Sequence, residues 1–210
     1  MLDSAANSLV RACGLESRQV VALRHPVSPR PAFRGSVNGG DLVLWAGRLD
    51  ADKRPELLRE IAERLPRKRF DVWGSPVVND GKLFAPLASL PNVQLRGPFA
   101  GFSSIPDAPY HCFLYTSFWD GLPNVLLEAV ASGLLAVGSD VGAVGEVLGD
   151  GGGILVRPPG DPGAYVRALE RSFRDPGAAR RTAERGRKRV LETHTREGFL
   201  ASLSSVAGYL

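Results

Sequence analysis

Short apolar runs alternate with helix-forming stretches along most of this chain, and that alternation leaves few folds open. Leu42 to Trp45, Phe70 to Trp73, Val93 to Leu95, His111 to Tyr115, Leu134 to Val137 and Ile154 to Val156 read as strands. Each is too short for a helix and rich in residues that suit a pleated surface. Between them, Pro55 to Leu65 places Leu57, Leu58, Ile61, Ala62 and Leu65 on one helical face. Pro55 falls in the first turn, where its absent N–H is harmless. Further helices are expected over 123–132, 144–148, 162–173, 177–192 and 196–208. Strands apolar on both faces and separated by helices predict an α/β protein with a parallel sheet covered on both sides.

The first forty residues follow another pattern. Leu2 to Ala12 reads as a helix and Val20 to Leu23 as a short strand. The stretch from His25 to Pro31 carries three prolines, which exclude helix and central strand, so it is expected to be a linker, with the main domain starting near Gly40. The opening Met1-Leu2-Asp3-Ser4 has neither a basic nor an apolar signal region, and no run approaches the ~20 apolar residues of a membrane span. Cys13 and Cys112 share no metal-ligand spacing. They read as two reduced thiols of a cytoplasmic protein, with one disulfide as the alternative.

The net charge of +4 is unevenly distributed. Residues 167–189 hold nine lysines and arginines against three acidic residues, and the rest of the chain is slightly acidic. The aromatic residues are not interleaved with this basic run, so nucleic-acid binding is not expected. On a helix, Ala179, Ala183, Val190 and Leu191 would form an apolar stripe, and Arg180, Arg181, Arg185, Arg187 and Lys188 would cover the rest. That pattern fits an ordinary solvated face. It also fits attraction to an anionic membrane.

Open parallel sheets bind ligands beyond the carboxyl ends of their strands, which directs attention to the loops there. After the strand ending at Trp45 comes Gly47-Arg48-Leu49-Asp50-Ala51-Asp52-Lys53. Arg48 offers a planar fork and Lys53 a point charge just ahead of a helix start, a combination that suits a diphosphate. Two solvated surface cations would leave the same trace. After the strand ending at Tyr115, Asp120-Gly121-Leu122-Pro123-Asn124 opens a helix that is apolar almost all round except for Glu128. Gly121 permits a tight turn and Pro123 a helix start. A carboxylate on so apolar a helix must either pair within the protein or reach a cleft, where its two oxygens would suit the vicinal hydroxyls of a ribose.

The run from Asp120 to Ala129, followed by Gly133 and by Gly142 to Glu146, resembles the signature of the group 1 retaining glycosyltransferases. Asp120 and Glu128 are separated by seven residues, as the two acidic positions of that signature are. The loop holding Gly47, Arg48 and Lys53 resembles the family's phosphate-binding loop and stands at the expected place upstream. The resemblance covers nearly the whole chain. It implies one half of a GT-B fold, a Rossmann-like domain over 40–192. Residues 1–39 would be the tail of a preceding domain and its hinge, and 193–210 a C-terminal helix. The implied activity is retaining, metal-independent transfer from a UDP- or GDP-linked sugar, in the setting of polysaccharide biosynthesis. The nucleotide sugar is the substrate, and no cofactor or metal is implied. Arg48 and Lys53 would bind the diphosphate and steady the leaving group. Glu128 would hold the ribose and Asp120 the sugar hydroxyls. The backbone of Gly47 and of Gly121, Leu122, Pro123 and Asn124 would cradle phosphate and sugar, and the base would lie near 97–102. The acceptor would be held by an N-terminal domain or by another polypeptide acting as its partner.

Two positions depart from the family pattern. The first acidic residue is Asp120 where Glu is commoner, one methylene shorter in reach, and the glycine pair before Glu146 is Gly142-Ala143. Glu146 is expected to be structural. The contrasting expectation is a non-catalytic copy kept as a binding or interaction module. The retention of Arg48, Lys53 and Glu128 speaks for the donor site. His25, His111 and His194 match no catalytic spacing, and His111 is expected to pack in the core. No serine or cysteine stands in a nucleophile-elbow pattern, so a hydrolase is not expected.

Overall fold

The computed structural model describes residues 10, 12–14, 23–28, 31, 33, 40–76, 81–121 and 123–206. The expected N-terminal helix and strand fall almost entirely outside these residues. The main domain is built from β1 (Leu42–Ala46), α1 (Pro55–Arg64), β2 (Arg69–Trp73), α2 (Gly81–Ala88) and β3 (Val93–Gly97). Then follow β4 (Tyr110–Tyr115), α3 (Asn124–Ala131), β5 (Leu135–Ser139), α4 (Val144–Leu148) and β6 (Ile154–Val156). Three helices close the chain: α5 (Pro162–Arg174), α6 (Pro176–Thr193) and α7 (Arg196–Ser204). None of the described helices is long and apolar enough to cross a membrane.

The six strands form one sheet in the order β3-β2-β1-β4-β5-β6, every pair parallel. This is the Rossmann-like order, and the connections reverse direction between β1 and β4. All five residues of β1 and all six of β4 are buried, because helices cover both faces. Alternation divides the core into two. Val43, Trp45, Cys112 and Leu114 pack with Leu57, Leu58 and Ile61 of α1 and Tyr165 and Leu169 of α5. On the other face Leu42, Leu44, Phe113 and Tyr115 meet Leu126, Leu127 and Val130 of α3 and Val147 of α4. The pairing of β1 with β4 shifts register where His111 sits, and this puts Tyr110 on the same face as Phe113 and Tyr115.

The apolar pattern predicts no element over 74–92, yet α2 lies there, with Pro86 inside it. Leu87 is fully buried and joins the face of the core formed by α1. Asn92 follows, and its amide nitrogen donates to the carbonyls of Ala62, Leu65 and Lys68, closing the end of α1.

The described part of the expected linker is docked onto the body. The Val27 N–H donates to the His194 carbonyl at 2.9 Å, and His194 Nδ1 meets the His25 carbonyl at 3.0 Å. Phe33 is buried with its ring edge-on to Phe102 and Tyr110, and its N–H reaches the Ser132 carbonyl. Cys13 and Cys112 are both free, one exposed and one buried.

Candidate functional site

The reversal point between β1 and β4 brings together the two loops singled out in the sequence. The loop after β1 turns through a short 3-10 segment, Ala51–Lys53, capped by the Asp50 carboxylate. Arg54 then takes a left-handed conformation (φ 55°) before α1 begins. The loop is fixed from below. The Gly47 N–H donates to the Trp73 carbonyl at 3.0 Å, and a Cβ on Gly74 would stand 1.9 Å from the Gly47 carbonyl oxygen. Only glycine fits there.

The loop after β4 is tied to the first by three hydrogen bonds. Trp45 Nε1 donates to Thr116 Oγ1 at 3.0 Å, and the same hydroxyl donates to the Lys53 carbonyl at 2.6 Å. The Phe118 N–H donates to the Asp52 carbonyl at 2.8 Å. The consequence is close contact between two residues 67 positions apart: Lys53 Nζ lies 2.5 Å from Asp120 Oδ2. The Tyr115 hydroxyl donates to the same oxygen, also at 2.5 Å. Burial, and after it the hydrogen bond to Asp120, keeps that phenol protonated well above the usual range. A third support comes from the loop after β5. The Ala143 N–H donates to the Gly121 carbonyl at 3.1 Å, and Gly142 (φ 50°) packs against the Asp120 backbone. The Gly-Ala that replaces the family's glycine pair therefore keeps its first glycine where a side chain would collide. Glu146 is exposed, with its carbonyl bonded by Arg189.

Arg48 is 62% exposed and pairs with Asp50 at 3.1 Å. Pro123 is buried and precedes α3, and its carbonyl accepts from Leu126 and Leu127, opening the helix one residue later than expected. Leu122 lies outside the described residues. Asn124 and Glu128, one helical turn apart, line a cavity of about 420 Å³. Leu127, Phe102, Ser103 and the docked segment from His25 to Ser28 complete its walls. Glu128 is half-buried there, between the buried Leu127 and Ala129 of the same helix.

Sequence reasoning missed Tyr115, Thr116 and residues 25–28 as parts of this region. Hydroxyls at the last position of β4 and at the next, the end of the strand where ligands bind, were the available signal for the first two. The basic helix α6 is also partly committed within the protein. Arg189 binds the carbonyls of Glu146, Val147 and Gly149, and Arg185 that of Gly151.

The Rossmann-like fold with its two loops meeting at the reversal point is shared with known proteins. The family model for group 1 glycosyl transferases matches residues 31–189, and the chain belongs to that family. It is 31% identical over 134 residues to a phosphatidylinositol N-acetylglucosaminyltransferase component of Arabidopsis thaliana, a match spanning 60% of this chain and 28% of that protein. It is 30% identical over 133 residues to the O-antigen biosynthesis glycosyltransferase WbnH of Escherichia coli, 63% of this chain and 38% of the relative. The matched region thus spans well under half the length of these curated relatives. Among solved structures, Staphylococcus aureus TarM superposes with a TM-score of 0.81 at 16% identity, over 96% of this chain and 42% of that one. Anabaena HepE in complex with UDP-glucose gives a TM-score of 0.70 at 17% identity, over 98% of this chain and 54% of that one.

Proposed function

We propose that this chain is the donor-binding domain of a retaining glycosyltransferase and takes a nucleoside-diphosphate sugar into the crevice between the loops after β1 and β4. The observation that carries the reading is the meeting of Lys53 and Asp120 at 2.5 Å, beside a cavity lined by Asn124 and Glu128. One cation, one carboxylate for sugar hydroxyls and a second carboxylate one pocket away match the three chemical parts of such a donor. Lys53 and the exposed Arg48 would neutralise the diphosphate and the charge that develops on it as the glycosidic bond breaks, without a divalent metal. Glu128 would accept from the ribose hydroxyls, and the base would enter the cavity towards Phe102 and Ser103. Asp120 would take hydroxyls of the sugar near the reacting carbon.

TarM was solved with UDP, and HepE with UDP and with UDP-glucose, which makes uridine the first base to try and guanine the second. The acceptor would be held by an N-terminal domain, in the same polypeptide or in a separate one, since transfer needs both reactants positioned together. The O-antigen relatives suggest an acceptor of the polysaccharide type. If that acceptor is lipid-linked, the exposed Arg180, Arg181 and Lys188 of α6 would favour an anionic membrane surface from the cytoplasmic side.

The test is calorimetric titration with UDP, GDP and ADP of the chain and of Glu128→Ala and Arg48→Ala. Saturable binding of one nucleotide, weakened in both variants, is expected. A folded chain that binds none of the three would overturn the reading.

A further inference from the structure

Lys53 and Asp120 are each assigned to a different part of the donor, yet in this structure they are bound to each other. Their side chains are 16% and 22% exposed, so each is largely withdrawn from water and the ion pair offsets that loss. A diphosphate arriving at Lys53 must draw the ammonium away from Asp120 or share it. Among the described residues, Asp120 then keeps the Tyr115 hydroxyl at 2.5 Å. The carboxylate has little freedom to move to another protein partner, and at 22% exposure water replaces the ammonium only in part. Its backbone is held by the packing of Gly142 against the Asp120 carbonyl, by the Ala143–Gly121 hydrogen bond and by the Phe118–Asp52 hydrogen bond. Its side chain is one methylene shorter than the glutamate usual at this position.

We propose that the Lys53–Asp120 pair makes the site discriminate a nucleotide sugar from the bare nucleoside diphosphate that remains after transfer. A bound sugar supplies hydroxyl donors that replace the ammonium at Asp120. A diphosphate without its sugar leaves the carboxylate short of a partner and is held more weakly. When the sugar departs, Asp120 recaptures Lys53 and the diphosphate is released more readily. Tyr115 is the positioning residue of this arrangement. Its hydroxyl shares the charge of Asp120 and lowers that carboxylate's demand on Lys53.

The inference rests on the donor-site reading above, and the experiment separates the two. The chain and its Asp120→Asn, Tyr115→Phe and Lys53→Met variants are titrated with UDP, GDP, UDP-glucose and UDP-N-acetylglucosamine, with circular dichroism melts to verify folding. Asp120→Asn is expected to bind the free diphosphate about two- to fivefold more tightly, the size of effect expected when a cation is released from an ion pair of this kind. Its affinity for the nucleotide sugar should gain less or fall, so the preference for sugar-bearing nucleotide shrinks. Tyr115→Phe should move the other way, weakening the free diphosphate by a factor of about two to three, because Asp120 then leans harder on Lys53. Lys53→Met should weaken both ligands. If the diphosphate binds and Glu128→Ala weakens it, but Asp120→Asn gives no tightening, the discrimination is refuted and the donor site stands. If no nucleotide binds the folded wild-type chain, both fall. Should Asp120→Asn not fold, Tyr115→Phe decides: unchanged or tighter diphosphate binding overturns the proposal.

Discussion

The carbonyl oxygen of Asp120 lies 1.7 Å from the point that a Cβ on Gly142 would occupy. The loop after β5 is thus a wedge beneath the loop that carries the candidate sugar-binding carboxylate. Gly142 also has a φ of 50°, a conformation that L side chains rarely adopt. Gly142→Ala must push the Asp120 loop away. It should cost about 2–4 kcal/mol in chemical unfolding and weaken nucleotide binding more than a stability loss alone predicts. Unchanged affinity in the folded fraction would show that the wedge does not position the site.

Thr116 joins the two loops through one hydroxyl, accepting from the Trp45 indole and donating to the Lys53 carbonyl. Thr116→Val keeps the shape and leaves the buried indole N–H unpaired, a cost of about 1–3 kcal/mol. Lys53 should lose its fixed position, so UDP titration should show weaker binding, whereas Thr116→Ser should restore it.

Arg189 closes the end of α4 with one guanidinium, bonding to Glu146 at 2.9 Å and Gly149 at 2.7 Å and also to the Val147 carbonyl. Arg189→Ala should destabilise the domain by about 2–3 kcal/mol. Its exposed neighbour Lys188, 3.9 Å from Glu192, should matter by less than ~0.5 kcal/mol when replaced by alanine. Equal effects in urea titrations would contradict the capping role.

His111 sets a pH dependence. Ser172 donates its proton to the Leu169 carbonyl and therefore accepts from His111 Nε2 at 3.0 Å, which leaves Nδ1 bare and unpartnered in the core. Burial, and after it the charge of Lys68, lowers the pKa to about 4 from the usual 6.5. The unfolded chain therefore binds a proton that the folded chain refuses, and stability falls as pH drops from about 6.5 towards 4. Between pH 7 and pH 5 the loss from this group should be about 2 kcal/mol. His194, whose pKa burial also lowers, adds a loss of the same sign. Thermal melts at the two pH values should show the drop, and His111→Gln should flatten it.

The sheet could be read from the sequence because its central strands are buried on both faces, and only continuous apolar runs satisfy that condition. Boundaries moved by a residue or two. The helix α2 escaped because Pro86 sits inside it and its eight residues are too short a window for a helical period to stand out. The stretch from His25 to Pro31 read as a linker because its prolines forbid regular structure. Forbidding regular structure does not forbid packing, and its described residues dock on His194 and line the cavity beside Glu128.

The sequence by itself determined the α/β class, the two loops that hold Arg48, Lys53, Asp120 and Glu128, and the family signature they spell. These depend on spacing within a loop or along one helix, which is local information. Only the tertiary structure decided that Lys53 and Asp120 touch, that Tyr115 shares the same carboxylate oxygen and that Gly142 holds the loop from beneath. Those contacts join residues from the ends of β1, β4 and β5. Their distances follow from the order in which parallel strands line up in the sheet, a property of the whole chain.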